Sequence, residues 1–135
     1  MNQDTTDSLS RVRLLQDLSS EAIESLEKRS HWRRYARDEQ ILDRDSDSRD
    51  VFLVVTGSVE VINYSLSGRE VAFGHVAQGG YFGELCAIDG GRRSANIVAV
   101  EDSLVLVVPP DVFTEILTHN PPATTQVLRR LAHII

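Results

Sequence analysis

Cysteine is almost missing from this chain. Cys86 is the one thiol among 135 residues, so no internal disulfide can form and the core must hold the fold. Long apolar runs are missing too, since no stretch approaches the ~20 residues that a membrane-crossing helix needs. The start, Met1 to Asp7, is polar and acidic and lacks the pattern of a secretory or transit segment. Positive charge is in deficit: 14 Lys and Arg against 20 Asp and Glu leave a net charge of −6. Sequence-independent nucleic-acid binding needs clustered cations to displace counterions, so that balance argues against it. His31, His75, His119 and His133 are scattered without a close pair at ligand spacing, which disfavours a structural zinc site. What remains is 41% hydrophobic and 25% charged, an ordinary balance for one cytoplasmic globular domain with its own core.

Helical spacing opens the chain. Leu14, Leu15 and Leu18 lead to Ser19-Ser20, after which Ile23 and Leu26 follow Glu21 and Glu24. A hydroxyl followed by acids satisfies free amides and the dipole at a helix start. The basic run His31, Arg33, Arg34, Arg37, interleaved with Trp32 and Tyr35, reads as a solvated helix exit before a nucleic-acid patch. Residues 1–38 therefore form the expected N-terminal helical segment. From residue 40 the period becomes two: Gln40 to Leu42, Val51 to Val55, Val59 to Tyr64, and Glu70 to Val76, with breaks at Asp43 to Asp50, Thr56-Gly57-Ser58 and Ser67-Gly68. Ala95 to Val100 and Ser103 to Val108 add two more runs. Short β-branched runs at this spacing predict an antiparallel jelly roll or small barrel over 39–109. Pro109-Pro110-Asp111 then starts a helix with the stripe Val112, Phe113, Ile116 and Leu117. Asn120-Pro121-Pro122 interrupts it, and Val127, Leu131 and Ile134 continue at helical spacing to an uncapped, apolar end. Residues 110–135 read as C-terminal helices cut from something longer.

The stretch from Gly79 to Asn96 carries the chemistry. Gly83 lets the backbone approach a ligand closely, and Glu84-Leu85-Cys86-Ala87 can form one helical turn whose free amides seat a phosphate. Arg93 and Ser94 return to the same seat, and a guanidinium grips two phosphate oxygens at once. An acid in such a seat repels the ligand unless the ligand also offers a hydroxyl. A 3′,5′-cyclic nucleotide does so: its free 2′-hydroxyl lies near the phosphate, where Glu84 accepts from it while Arg93 offsets the charge.

Gly79 to Asn96 closely resembles the phosphate-binding cassette of cyclic nucleotide-binding domains, with Phe82-Gly83-Glu84-Leu85 at its start and Arg92-Arg93-Ser94-Ala95 at its end. The nine positions from Glu84 to Arg93 match the spacing in that family. Leu15 to Ser19 resembles its N-terminal helical motif and Phe52 to Val61 its paired core strands, so the resemblance covers roughly residues 14–135. It implies an antiparallel double-stranded β-helix, a jelly-roll-like β-roll, mainly β with flanking helices, with the cassette at 82–96 and the C-terminal helices as a lid. Gly83, Glu84, Leu85 and Cys86 would line the sugar-phosphate, and Arg93, Ser94 and Ala95 would complete it. Val71 and Phe73 would face the base. The implied ligand is cAMP, with cGMP second, because a Thr after the arginine often accompanies cGMP preference and Ser94 lacks that methyl. The implied role is a sensor that transmits binding to a fused or associated effector outside this chain. A homodimer through the C-terminal helix is a further expected partner. Asp38 and Asp45 stand where the family usually has turn glycines, and Asn96 replaces a common Thr or Ser.

Simpler roles compete at each position. Glu84 and Arg93 could pair in a ligand-free structural or oligomerisation module of the same fold. Arg92 reads as solvent-facing, Cys86 as a small packing residue before a redox switch, His75 as a surface or rim residue, and Tyr81 and Phe82 as packing. A phosphodiesterase or cyclase would need metal ligands or a positioned base, and no such cluster is visible. The chain therefore reads as no enzyme, with no cofactor and no metal.

Overall fold

The computed structural model describes residues 9–42, 48–64, 70–84 and 95–134, with the side chains of 63–64, 70–73 and 133–134 left aside. Two four-stranded antiparallel sheets form the body. In the first, β1 (His31–Tyr35), β8 (Ser103–Val108), β3 (Val51–Thr56) and β6 (Tyr81–Phe82) lie in that order. In the second, the order is β2 (Gln40–Leu42), β7 (Ala95–Ala99), β4 (Ser58–Tyr64) and β5 (Glu70–Ala77). A 3-10 turn at Arg13–Leu15 and helix α1 (Ser20–Lys28) precede them, and α2 (Pro110–His119) and α3 (Pro121–Ile134) follow. This is the expected β-roll with helices at both ends.

The unbroken apolar run Val51 to Val55 follows from cover on both faces of the first sheet. Val51, Leu53 and Val55 of β3, with Leu106 and Val108 of β8, meet Leu14, Leu15, Ile23, Leu26, Phe113 and Val127 from the helical segments. Phe52 and Val54, with Val105 and Val107, point the other way and meet Val59, Val76 and Ile97 of the second sheet. Burial on both sides removes the polar alternation that a half-solvated strand shows. The β7 strand, in contrast, alternates buried and half-buried along its length. Each fully buried Leu here stabilises the fold by about 2 kcal/mol through area removed from water. Leu53 and Leu106 belong to both the strand ladder and the helix-facing core, so they join sheet to helices.

The helix start at Ser19 is as expected: its side chain accepts from the Ala22 amide at 3.1 Å. The basic run needs correction. His31 to Tyr35 is strand β1, paired along its length with β8, and no helix exit. Arg33 and Arg34 are exposed, while Trp32 packs on the helix-facing core and donates from Nε1 to Glu27 at 3.1 Å, and Tyr35 packs on the inter-sheet core. Asp38 follows with φ of 71° and gives its amide to Ala99 O at 2.8 Å, so the aspartate holds the left-handed turn that a glycine would hold. Asp45 lies outside the described residues.

One corner locks the two sheets together. Gly57 joins β3 to β4 at φ of 89°, and a Cβ there would run into the Ser103 hydroxyl and come within 2.6 Å of Asp102 O. The buried Ser103 hydroxyl accepts from the Ser58 amide at 3.2 Å, and the Ser58 hydroxyl donates to Glu101 at 2.7 Å. Gly57→Ala meets both a backbone penalty and overpacking, and should lower stability by about 2–4 kcal/mol. Urea denaturation measures this directly; a midpoint unchanged from the parent would refute the close approach.

Candidate functional site

The site is built outward from β6. Two residues of this edge strand pair with β3, Phe82 opposite Phe52 and Tyr81 opposite Leu53. Their register is fixed further by the Gly79 amide on Val54 O at 2.8 Å and the Val54 amide on Gly80 O at 2.9 Å. Phe82 stacks on Phe52 with centroids 4.9 Å apart and planes 2° from parallel. Both aromatics of β6 are buried packing residues, which leaves the backbone after Phe82 in a determined place and direction. There Gly83 turns at φ of 93°, a conformation that an L side chain rarely adopts, and the chain enters a helical conformation at Glu84.

Glu84 is only 4% exposed. A carboxylate taken out of water needs a compensating charge or donors. Among the described residues that charge is Arg130 on α3, whose Nε lies 3.4 Å from Glu84 Oε1. The same guanidinium lies over the Tyr81 ring, 4.3 Å from its centroid, and donates from Nη1 to Tyr81 O at 2.5 Å. Burial pushes the Tyr81 phenol above its ordinary value, while the neighbouring Arg130 charge pulls it down. Arg130 thus ties the C-terminal helix to β6 and to the acid that follows it.

Of the residues expected to form the site, Gly83, Glu84 and Ala95 fall among those described. Ala95 opens β7, buried and opposite Asn63 of β4. Ile62 of β4 stands between Asn96 of β7 and Phe73 of β5, so the β7 start and the β5 segment carrying Val71 and Phe73 share one end of the second sheet. The side chains of Val71 and Phe73 lie outside the described residues, as do Leu85, Cys86, Arg92, Arg93 and Ser94. Described and brought together are the acid, its glycine turn and α3. Arg130 was not among the expected residues. One signal for it was present: with Val127 and Leu131 on the buried stripe, helical spacing puts Arg130 beside that stripe. His75 is exposed on β5, as expected.

Comparison with known proteins bears on the family and the fold. A family model described as the cyclic nucleotide-binding domain matches residues 32–120. The chain is 28% identical over 124 residues to the cAMP-dependent protein kinase regulatory subunit of Mycosarcoma maydis, covering 92% of this chain and 22% of that protein. It is 34% identical over 99 residues to the cGMP-dependent 3′,5′-cGMP phosphodiesterase A of Dictyostelium discoideum, covering 73% of this chain and 11% of that protein. The crystal structure of the Thermus thermophilus catabolite activator protein matches with a TM-score of 0.76 at 26% identity, over 89% of this chain and 56% of that one. The chain thus spans a minor part of these curated relatives and about half of the solved one. With the family model matching well over half the residues, the chain belongs to the cyclic nucleotide-binding domain family.

Proposed function

We propose that this chain binds a cyclic nucleotide, cAMP in preference to cGMP, and passes the binding event through α3 to an effector outside the chain. The observation that carries the reading is the buried Glu84 carboxylate, placed directly after the Gly83 turn and held from α3 by Arg130. In this reading Glu84 accepts the ribose 2′-hydroxyl. The turn from Gly83 through Leu85 and Cys86 presents backbone donors, and Arg93, Ser94 and Ala95 close around the phosphate. Val71 and Phe73 stand toward the base. The preference for cAMP rests on Ser94, which offers a hydroxyl without the methyl that accompanies cGMP preference in relatives. Binding and no turnover is the proposed activity, in the cytoplasm, without direct nucleic-acid contact or membrane insertion.

The lid role of α3 is supported by a contact that both states must share or exchange. A ligand that donates to Glu84 changes what Arg130 gains by staying there, and only such a difference in affinity between two arrangements can move a helix. A homodimer, if formed, would run through α3. One observation favours a different reading: Glu84 already has a cationic partner, which is what a ligand-free structural or oligomerisation module needs.

Calorimetric titration separates the two. The parent chain should bind cAMP more tightly than cGMP, and Arg93→Ala should weaken cAMP by about 2–5 kcal/mol, because charged groups lose their partner in a desolvated site. No heat with either nucleotide would favour the structural module, and unchanged affinity in Arg93→Ala would remove the phosphate assignment. A second test concerns the lid contact. Arg130→Gln should lower folding stability by about 1–2 kcal/mol, less than for a fully buried pair because the guanidinium side chain is 36% exposed. In a double-mutant cycle with Glu84→Gln the two losses should fall short of additive. Strict additivity would mean that the pair contributes nothing.

A further inference from the structure

A cavity of about 520 Å³ opens between the N-terminal segment, the β5–β6 turn and α3. Its size falls within the range of small-molecule sites. Arg13 reaches it from the 3-10 turn, His75 from the end of β5, and Gln126 and Arg130 from α3, with Gly79 and Gly80 among its lining residues. The glycines let the wall close tightly there: a Cβ on Gly80 would press on Val76 at 2.8 Å, and Gly79 holds φ of 90°.

The walls are tied to one another. The Arg13 amide donates to Gly79 O at 3.0 Å, and Gln126 Nε2 donates to Arg13 O at 2.8 Å. The opening is therefore held in shape by the N-terminal segment, the sheet and the lid helix together. Among the described residues its polar side chains are those of two arginines, a histidine, a glutamine and Tyr81, with no carboxylate, in a chain whose net charge is −6. Of the described acids, Glu84 pairs with Arg130, and Glu60 lies opposite His75 in the β4–β5 ladder. Arg13 is exposed, and among the described residues Arg130 engages Nε and Nη1 of a guanidinium with five N–H donors.

We infer that this cleft, which has neither Gly83 nor Glu84 among its described lining residues, is a binding site for a small molecule carrying two linked anionic groups. Arg13 and Arg130 clamp the charges from opposite walls, and Gln126 and His75 supply hydrogen bonds. The inference does not need the nucleotide reading, because the groups it uses are Arg13, His75, Gln126 and Arg130.

Pyrophosphate is the probe, titrated into the full chain at constant ionic strength and followed by nuclear magnetic resonance. Saturable shifts are expected at the Gln126 side-chain amide, the His75 ring and the Gly79 and Gly80 amides. Arg13→Ala should weaken the binding about tenfold, the loss of one charge-assisted contact, and His75→Ala should weaken it less. Both side chains are exposed, so the variants should keep the parent's spectrum elsewhere. Arg93→Ala should leave the affinity unchanged. Shifts that never saturate, affinity that survives Arg13→Ala, or binding abolished by Arg93→Ala would each overturn the site, the last by showing that pyrophosphate goes to the nucleotide seat. Failure of cAMP to bind in a separate titration would leave these results standing.

Discussion

A carboxylate held almost out of water is the constraint around which this molecule is organised. Glu84 cannot stay at 4% exposure without a compensating partner, and the described partner comes from α3, far along the chain from the strand that precedes the acid. To hold the acid there, β6 must be fixed, and it is fixed by two residues paired to β3 and by the Phe52–Phe82 stack. To fix β3 in turn, the first sheet must be covered on both faces, by helices on one side and the second sheet on the other. Buried strand, edge strand, acid and α3 form one chain of dependence.

That dependence gives the helices a role beyond completing the core. The helix-facing core includes Leu14, Leu15 and Leu26 before the sheets and Phe113, Ile116 and Val127 after them. Moving α3 disturbs apolar contacts with the N-terminal segment as well as the Arg130 contacts. Packed cores tend to have discrete arrangements and do not deform continuously. A ligand that alters the Glu84–Arg130 pair therefore acts on a helix whose alternatives are few, which is the physical requirement for a sensor.

The strand pattern was legible because its cause is local. Runs such as Val51 to Val55 and Ser103 to Val108 carry β-branched residues between turn residues, and burial on both faces explains their continuity. Asp38 was legible as a turn position, since aspartate tolerates the positive φ it adopts. β1 was not. Its two apolar side chains, Trp32 and Tyr35, are three residues apart and serve different cores, so neither a period of two nor a clean polar face appears. Its strand character comes from pairing with β8, far away in sequence. Arg130 was hidden for a similar reason. A helical stripe shows which apolar residues turn inward, but no local pattern shows that a cation beside the stripe meets an acid 46 positions earlier. At the site, the glycine turn and the acid could be read from Phe82-Gly83-Glu84, whereas the partner on α3 required the fold.

The central claim is that a cyclic nucleotide engages Glu84 and is felt in α3. Amide hydrogen exchange of the whole chain with and without cAMP tests it most directly, because exchange reports local opening along the backbone. The account predicts changed protection in two places at once, at residues 81–84 and along α3 around Gln126 to Leu131. Changes confined to the first, with α3 exchanging identically in both conditions, would contradict it.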